Sequence, residues 1–299
     1  MKREHNFVQL LRESAVSNGS ITCMGIDPVL EALPRPELSP RRRVLLFFEQ
    51  ILETMARRRV YPAAFKPNIG FFHSLDRPLE SRFDGTLALR DLLLMLRQIF
   101  PRTPVILDSK RGDIARSSLN YAEEAFSSWD ADALTVSPYM GGDSVGPFNT
   151  LAAQRGRGVY ILNRTSNPGA RELQNLTLAD GRPLYTHIAR KIVEWSEESG
   201  SDSIGAVVGA TSLAELEELA RFYASHGTPL LIPGVGGQGG SASETISVLK
   251  KADYPLELAR INSSSGLTHP WLKQASPVPV DWPEKVTDRL EKLNGELKI

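Results

Sequence analysis

The chain has 299 residues, of which 41% are hydrophobic and 23% are charged, a composition typical of a globular protein with a sizeable core. Its 35 Lys and Arg residues balance its 35 Asp and Glu residues, so neither a basic surface for nucleic acid nor an acidic tail is expected. Cys23 is the only cysteine, which excludes an internal disulfide and a cysteine-built metal site.

Short β-rich runs alternate along the chain with segments of helical periodicity. Strands are predicted over residues 21–26, 60–66, 104–108, 132–136, 158–162, 205–209, 229–233 and 257–262. Helices are predicted over 43–55, 86–100 and 213–223. Eight β-α alternations predict an α/β fold with a parallel sheet, and eight strands close a (β/α)8 TIM barrel. The alternative is an open doubly wound sheet, which usually has a Gly-rich turn after its first strand, whereas Gly25-Ile26-Asp27-Pro28 stands here.

Three irregular segments accompany these elements. Residues 33–40 predict an extended Pro-rich connection into a helix, and residues 163–183 predict a mobile polar loop over a site. From about residue 276, an extended strap precedes a final amphipathic helix. With no composition shift, residues 1–299 are expected to form a single domain. Residues 1–6 lack the apolar segment of a signal peptide, and no apolar run is long enough to span a membrane, so we expect a cytoplasmic protein without a membrane partner.

The most distinctive segment is the run from Val105 to Ile114, in which an apolar strand ends in alternating charges. Residues two apart in a strand face the same side, so Asp108 and Lys110 are expected to project together, with Asp113 in the adjoining turn. Lys66 ends the preceding predicted strand, and the active sites of TIM barrels lie at these strand ends. Unpaired buried charge is expensive, so the cluster is either a structural ion-pair network or a reactive site.

The combination of Lys66, Asp108, Lys110 and Asp113 suits one kind of chemistry. A carboxylate beside a departing carboxylate destabilises the bound ground state, and an adjacent ammonium stabilises the resulting carbanion and protonates it. This is the chemistry of a cofactor-free decarboxylase. The five histidines show no ligand spacing, and the lysines already compensate the aspartates, so neither a metal nor a cofactor is predicted.

The segment after the seventh predicted strand indicates a phosphate site. Five of the eight residues in 233–240 are glycine, which permits close backbone approach to a ligand. A helix is predicted to follow, and TIM barrels often bind phosphate with the loops after strands 7 and 8. The Ser-rich turn 262–266 after the eighth strand adds hydroxyl donors.

Taken in order, these motifs resemble the orotidine 5'-phosphate decarboxylase family, in particular its longer bacterial form. The resemblance covers most of the chain. The motifs that carry it are Gly25-Ile26-Asp27-Pro28, Phe65-Lys66-Pro67-Asn68, Leu107-Asp108-Ser109-Lys110-Arg111-Gly112-Asp113-Ile114, Ser137-Pro138-Tyr139-Met140-Gly141, Thr165-Ser166-Asn167-Pro168-Gly169, Val208-Gly209-Ala210-Thr211 and Pro233-Gly234-Val235-Gly236-Gly237-Gln238-Gly239-Gly240.

The resemblance implies a role for each candidate residue. Lys110 would protonate the C6 carbanion, Asp108 would sit beside the departing carboxylate, and Lys66 and Asp113 would complete the charge array. Asp113 would reach the partner's site in a homodimer. The implied nucleotide contacts are Asp27 and Ser117 at the ribose, Ser166 at the pyrimidine edge, Gln238 between base and phosphate, Gly239 and Gly240 at the phosphate, and Pro233, Ser264 and Ser265 in the remaining substrate-binding set. The product would be uridine 5'-phosphate in pyrimidine biosynthesis, formed without metal or cofactor.

Two positions depart from the family pattern: Ser117 stands where the family usually has Thr and keeps the hydroxyl, and the second departure concerns the phosphate. The family usually carries Asn-Ser-Ser-Arg after strand 8, and this Arg binds phosphate, whereas Ser265 stands at the Arg position here. Arg164 or a residue of the long loop is the expected substitute. Ser265 supports one alternative, a catalytically silent nucleotide-binding barrel. A second alternative, which does not depend on Ser265, is a related magnesium-dependent sugar-phosphate decarboxylase or aldolase on the same barrel.

Overall fold

The computed structural model describes residues 6–236 and 239–299. In these residues eight strands alternate with helices, and each strand overlaps a segment predicted from the sequence. The strands are β1 Thr22–Ile26, β2 Ala64–Pro67, β3 Ile106–Arg111, β4 Ala133–Val136, β5 Gly158–Arg164, β6 Ile204–Val208, β7 Leu230–Ile232 and β8 Ala259–Ser263. Apolar β-rich runs therefore identified every strand, with differences only at the ends.

All strand pairs are parallel, and their order is β2-β1-β8-β7-β6-β5-β4-β3. The two end strands meet through isolated parallel bridges, Phe65 with Val105 and Asn68 with Asp108. The Phe65 N–H also donates to the Pro104 carbonyl over 2.9 Å. The sheet therefore closes into the predicted (β/α)8 barrel, and the doubly wound alternative was wrong. Closure brings the carboxyl ends of all eight strands to one mouth.

Twelve α-helices occur among the described residues. They are α1 Phe7–Asn18, α2 Pro40–Arg58, α3 Ile69–His73, α4 Asp84–Ile99, α5 Ala115–Glu123, α6 Gly142–Arg155, α7 Ala170–Gln174, α8 Leu184–Ser199, α9 Leu213–Ala224, α10 Ala242–Lys251, α11 Ser265–Thr268 and α12 Trp282–Glu296. The predicted helices correspond to α2, α4 and α9. α2 starts earlier than predicted because Ser39 caps it, accepting a hydrogen bond from the Arg42 N–H, and Pro40 suits the first turn.

The segment 163–183 is more ordered than the predicted mobile loop. β5 continues through Arg164, and the short helix α7 forms within the segment. The Gln174 side chain ties this helix to the end of β5, since its Oε1 accepts from the Thr165 N–H over 2.8 Å and its Nε2 donates to Thr165 Oγ1 over 2.9 Å. The loop therefore carries its own anchor beside the barrel mouth.

Helix α1, which the sequence interpretation did not assign, closes the amino mouth of the barrel. Phe7 packs edge-on against Tyr160 with ring centroids 5.8 Å apart, and Leu11 is fully buried in the same inner cluster. Cys23 lies there too, and burial raises the pKa of its thiol to about 12. Cys23 is therefore a small core residue and remains protonated at neutral pH.

Arg260 is also fully buried at the amino mouth. Its guanidinium donates only to backbone carbonyl groups, those of Leu11, Ala63, Glu257 and Ala259. Arg260 therefore joins α1 to the starts of β2 and β8 and satisfies its donors without a carboxylate partner among the described residues.

The predicted final helix is α12, and it packs across α2. Trp282 stacks on Phe47 with ring centroids 6.3 Å apart, and Arg58 forms ion pairs with Asp288 and Glu291. Within residues 6–236 and 239–299, no helix is long and apolar enough to cross a membrane.

Candidate active site

A cavity of about 820 Å³ opens at the carboxyl mouth of the barrel. It is bordered by all eight strands or the residues that directly follow them, and by α7. Eight of the predicted site residues line it: Asp27, Lys66, Asp108, Lys110, Ser166, Pro233, Ser264 and Ser265. Side chains from distant segments therefore meet at the place where TIM barrels bind their ligands.

The Asp108 carboxylate lies between two ammonium groups. Lys66 Nζ donates to its Oδ2 over 2.6 Å, and Lys110 Nζ donates to its Oδ1 over 2.5 Å. The side chains of Lys66 and Asp108 are only 5% and 8% exposed, whereas that of Lys110 is 51% exposed. Lys110 is therefore the member of the cluster with the freest access to a ligand and to solvent.

Electrostatics fixes the charges of the buried pair. Burial alone would raise the pKa of Asp108, but the ammonium groups of Lys66 and Lys110 outweigh it and hold that pKa well below its usual range. Burial alone would lower the pKa of Lys66, but Asp108 and Asp27 outweigh it and hold that pKa above its usual value. Asp108 therefore stays ionised and Lys66 stays protonated at neutral pH.

A break in the β3 ladder shapes this cluster. The β3–β4 register shifts between Leu107 and Arg111, and Lys110 takes a left-handed backbone conformation with φ +45°. Thr135 Oγ1 accepts from the backbone N–H groups of Ser109 and Lys110 over 3.0 and 2.9 Å, and it donates to Asp108 Oδ1 over 3.0 Å. Thr135, which the sequence interpretation missed, therefore holds both the bulge and the carboxylate.

Asp27 brings a second carboxylate to the cavity. Its Oδ1 is buried and has no hydrogen-bond partner among the described residues. Burial raises the pKa of Asp27, and the nearby Lys66 charge opposes that rise. An unmet buried acceptor that borders a cavity suits a hydroxyl donor on a ligand.

Two glycines allow backbone segments to approach this cavity closely. A Cβ at Gly25 would lie 1.9 Å from Ser264 Oγ, and a Cβ at Gly209 would lie 2.8 Å from Ser166 Cα. The glycines in two of the sequence motifs therefore make room for Ser264 and Ser166 at the cavity wall.

The remaining predicted residues lie outside the described lining. Asp113 Oδ1 accepts from the Ile114 N–H over 2.8 Å, and Ser117 is exposed in the first turn of α5. Gly239 and Gly240 belong to the turn that continues from the lining residue Gly234, whose carbonyl accepts from the Gly240 N–H over 3.0 Å. Gln238 lies outside the described residues.

Arg164 is not the substitute cation at the cavity. Its side chain is buried, its Nε lies 2.9 Å from Glu215 Oε2, and its Nη1 donates to the Thr165 carbonyl. The described cavity lining instead includes Lys273, which the sequence interpretation did not single out. Across the described part of the chain, no three His, Cys, Asp or Glu residues cluster in a way that could hold a metal ion.

Residues 22–255 match the family model described as "Orotidine 5'-phosphate decarboxylase / HUMPS family". The chain belongs to the orotidine 5'-phosphate decarboxylase family. That family assignment makes it a member of a group of carboxy-lyases of pyrimidine biosynthesis, as the motifs predicted.

Proteins named orotidine 5'-phosphate decarboxylase align with this chain over most of their own length. The orotidine 5'-phosphate decarboxylase of Verminephrobacter eiseniae is 38% identical over 256 residues, which cover 84% of this chain and 86% of that protein. That of Methylibium petroleiphilum is 40% identical over 260 residues, covering 84% and 86%.

Solved structures agree with the barrel. Leishmania donovani OMP decarboxylase superposes with a TM-score of 0.72 at 29% identity, covering 97% of this chain and 98% of that one. Leishmania donovani UMP synthase gives a TM-score of 0.75 at 31% identity, and the chain spans 56% of its length. The architecture of the orotidine 5'-phosphate decarboxylase family thus extends over nearly the whole chain.

Proposed function

We propose that this protein decarboxylates orotidine 5'-phosphate to uridine 5'-phosphate, using its own side chains and neither metal nor cofactor. The observation that carries the proposal is the Asp108 carboxylate held between the Lys66 and Lys110 ammonium groups beside the cavity. Family membership supplies the substrate, and the cluster supplies a means of making and protonating a carbanion. The sugar-phosphate alternative would depend on magnesium, whereas Lys66 and Lys110 already compensate the charge of Asp108.

Asp108 and Lys110 divide the chemical work. The substrate carboxylate lies beside Asp108, and repulsion between the two negative groups raises the energy of the bound ground state. The bond from C6 to the carboxylate breaks, carbon dioxide leaves, and the electron pair remains at C6. The Lys110 ammonium stabilises this pair and then donates a proton to C6. Solvent reprotonates Lys110, whose side chain is half exposed.

The rest of the proposed site binds the nucleotide. Asp27 accepts a ribose hydroxyl at its unmet Oδ1, and Ser166 contacts the pyrimidine edge. Gln238 lies between base and phosphate in this proposal. The phosphate end is formed by Pro233, Gly239, Gly240, Ser264 and Ser265.

A homodimer completes the proposed site. Asp113 follows the lining residue Lys110 closely in sequence but lies outside the described lining, which fits a residue that serves a second subunit. Ser117, also outside that lining, is the second proposed contact to the ribose. Ile114, Tyr139 and Met140 expose large apolar side chains in the same loops, and a Cβ at Gly112 would lie 3.7 Å from the Met140 side chain. We assign this apolar surface to the dimer contact, with Asp113 completing the partner's charge array. We also propose that the protein acts in the cytoplasm, the location expected from its sequence.

Ultraviolet-monitored turnover of orotidine 5'-phosphate by the purified protein tests the activity. Loss of the substrate absorbance at the same rate with and without a chelator is expected. Absence of turnover, with uridine 5'-phosphate still raising the melting temperature, would instead establish the silent nucleotide-binding barrel. Loss of activity with the chelator would favour the magnesium-dependent alternative.

A further inference from the structure

Among the described residues that line the cavity, one lysine lies outside the Asp108 cluster. The charged residues in its described lining are Asp27, Asp108, Lys66, Lys110 and Lys273. Lys66 and Lys110 both form ion pairs with Asp108, and Lys66 also opposes the charge of Asp27. Lys273 comes instead from the segment that follows β8, three strands around the barrel from β3.

A nucleoside monophosphate needs a cation at one end. Its phosphate carries about −1.5 to −2 charges at pH 7, and burial of that charge is costly without a partner. On the β1 to β3 side of the cavity, the charges of Lys66 and Lys110 are already offset by Asp27 and Asp108. The lining that comes from β7, β8 and the residues after them is different, because it offers hydroxyl and backbone groups of Gly234, Val235, Ser264, Ser265 and Gly266. Its one carboxylate neighbour among the described residues is Asp27, which lies beside Ser264.

We infer that Lys273 is the phosphate-binding cation of this protein. The inference rests on the proposed function, since it takes a nucleoside monophosphate as the ligand. Lys273 supplies the charge, and the hydroxyls of Ser264 and Ser265 add neutral donors to the same phosphate oxygens. The cavity is then polarised, with the reacting base at Asp108 and Lys110 and the phosphate at Lys273.

The chain fixes the start of the Lys273 side chain firmly. Trp271, two residues earlier, is buried, and its Nε1 donates to the Ala32 carbonyl over 2.8 Å. Its ring also packs edge-on against Phe47, with centroids 6.1 Å apart. The backbone at the cavity rim is therefore anchored to the body of the barrel, while the exposed lysine side chain extends from it.

Comparison of uridine 5'-phosphate with uridine tests the inference, because the two ligands differ only in the phosphate. The substitution Lys273→Gln is expected to weaken uridine 5'-phosphate binding, measured by calorimetric titration, by about tenfold or more. This is the usual cost of losing a hydrogen bond to a charged group. Uridine binding should stay within twofold of wild type. Lys191→Gln, at an exposed lysine paired with Glu194, is the matched control and should change neither.

Two rescue variants separate a charge effect from a structural one. Lys273→Arg should retain the preference for the phosphorylated ligand, and Ser265→Arg combined with Lys273→Gln should restore it from a neighbouring lining position. Equal weakening of both ligands in Lys273→Gln, or no weakening of either, would overturn the inference. Turnover by the wild-type protein is measured separately. If Lys273→Gln does not weaken phosphate binding, the decarboxylase assignment is unaffected, and if the wild type shows no turnover, the ligand-binding comparison can still be made.

Discussion

Two deeply buried charged groups lie at opposite mouths of this barrel, and different partners satisfy them. At the carboxyl mouth, Asp108 is held by Lys66 and Lys110 beside the cavity. At the amino mouth, Arg260 donates to backbone carbonyl groups and is sealed beneath α1. Asp108 borders a cavity that a ligand can enter, whereas Arg260 is enclosed by protein atoms. Access to a cavity, rather than burial of charge, therefore distinguishes a reactive site from a structural one.

The largest expected effect comes from Lys110→Ala, which should break the carboxyl-mouth cluster without breaking the fold. Loss of the proton donor is expected to lower kcat by about 10²–10⁴-fold. The unfolding free energy should change by about 0.5 kcal/mol or less, because the side chain is half exposed and Asp108 keeps Lys66. Steady-state kinetics and urea denaturation measure the two quantities. Near-normal turnover in this variant would refute the role assigned to Lys110.

Arg260→Met should lower stability and leave turnover nearly unchanged, the opposite of Lys110→Ala. The substitution leaves buried carbonyl groups without their donor, and at roughly 1–3 kcal/mol for each unmet group the loss of unfolding free energy is expected to reach about 4 kcal/mol. The kcat of the folded fraction should stay within twofold of wild type, because Arg260 does not line the cavity. Arg260→Lys, which keeps part of the donor set, provides an intermediate case if the first variant does not fold. A tenfold loss of kcat at unchanged stability would contradict the separation of the two mouths.

Asp108→Asn should give a smaller and pH-dependent loss of stability. At pH 7 the variant leaves the Lys66 ammonium buried beside Asp27 alone, at an expected cost of about 3 kcal/mol. In the wild type, the raised pKa of Lys66 adds stability that is complete below its unfolded value of about 10.4 and is lost as pH rises through its folded value. In the variant, burial dominates and lowers the Lys66 pKa, so the unfolded chain binds more protons and the variant gains stability as pH rises.

The stability gap between wild type and Asp108→Asn is therefore expected to narrow from pH 7 to pH 9.5. Urea denaturation at the two pH values measures it. Asp281→Asn removes one partner of the half-exposed pair with Lys285 and is the control, with a change near zero at both pH values. A gap that does not vary with pH would show that Asp108 does not govern the charge of Lys66.

Local patterns were sufficient to predict the barrel. Each β strand overlaps a segment predicted from β-favouring residues, and the three helices with clear periodicity formed where predicted. α7 was missed because it is a single short turn whose order comes from the Gln174 contact with Thr165. α1 was missed although Phe7 and Leu11 are buried, since its apolar face meets the inside of the barrel rather than a neighbouring helix.

The candidate site was predictable only in part. Strand alternation suggested that Asp108 and Lys110 lie together, but they meet through a bulge with a left-handed Lys110. Thr135 and Lys273 come from segments without any distinctive local pattern, and only the closed barrel brings them to the same cavity. Asp113 stays a prediction because it concerns a second subunit, and Ser117 stays a prediction because it concerns a contact with the ribose of a bound ligand.

The position of the Lys66–Asp108 ion pair between β2 and β3 also affects how the barrel unfolds. Seven strand pairs of the barrel form ladders, whereas this one is joined by isolated bridges, and Lys66 in β2 contacts Asp108 in β3 across it. The Lys66–Asp108 ion pair therefore links the two strands that share the fewest backbone hydrogen bonds in the barrel. On heating, this strand pair should separate first and break the ion pair, so the protein should lose activity while most of the barrel is still folded.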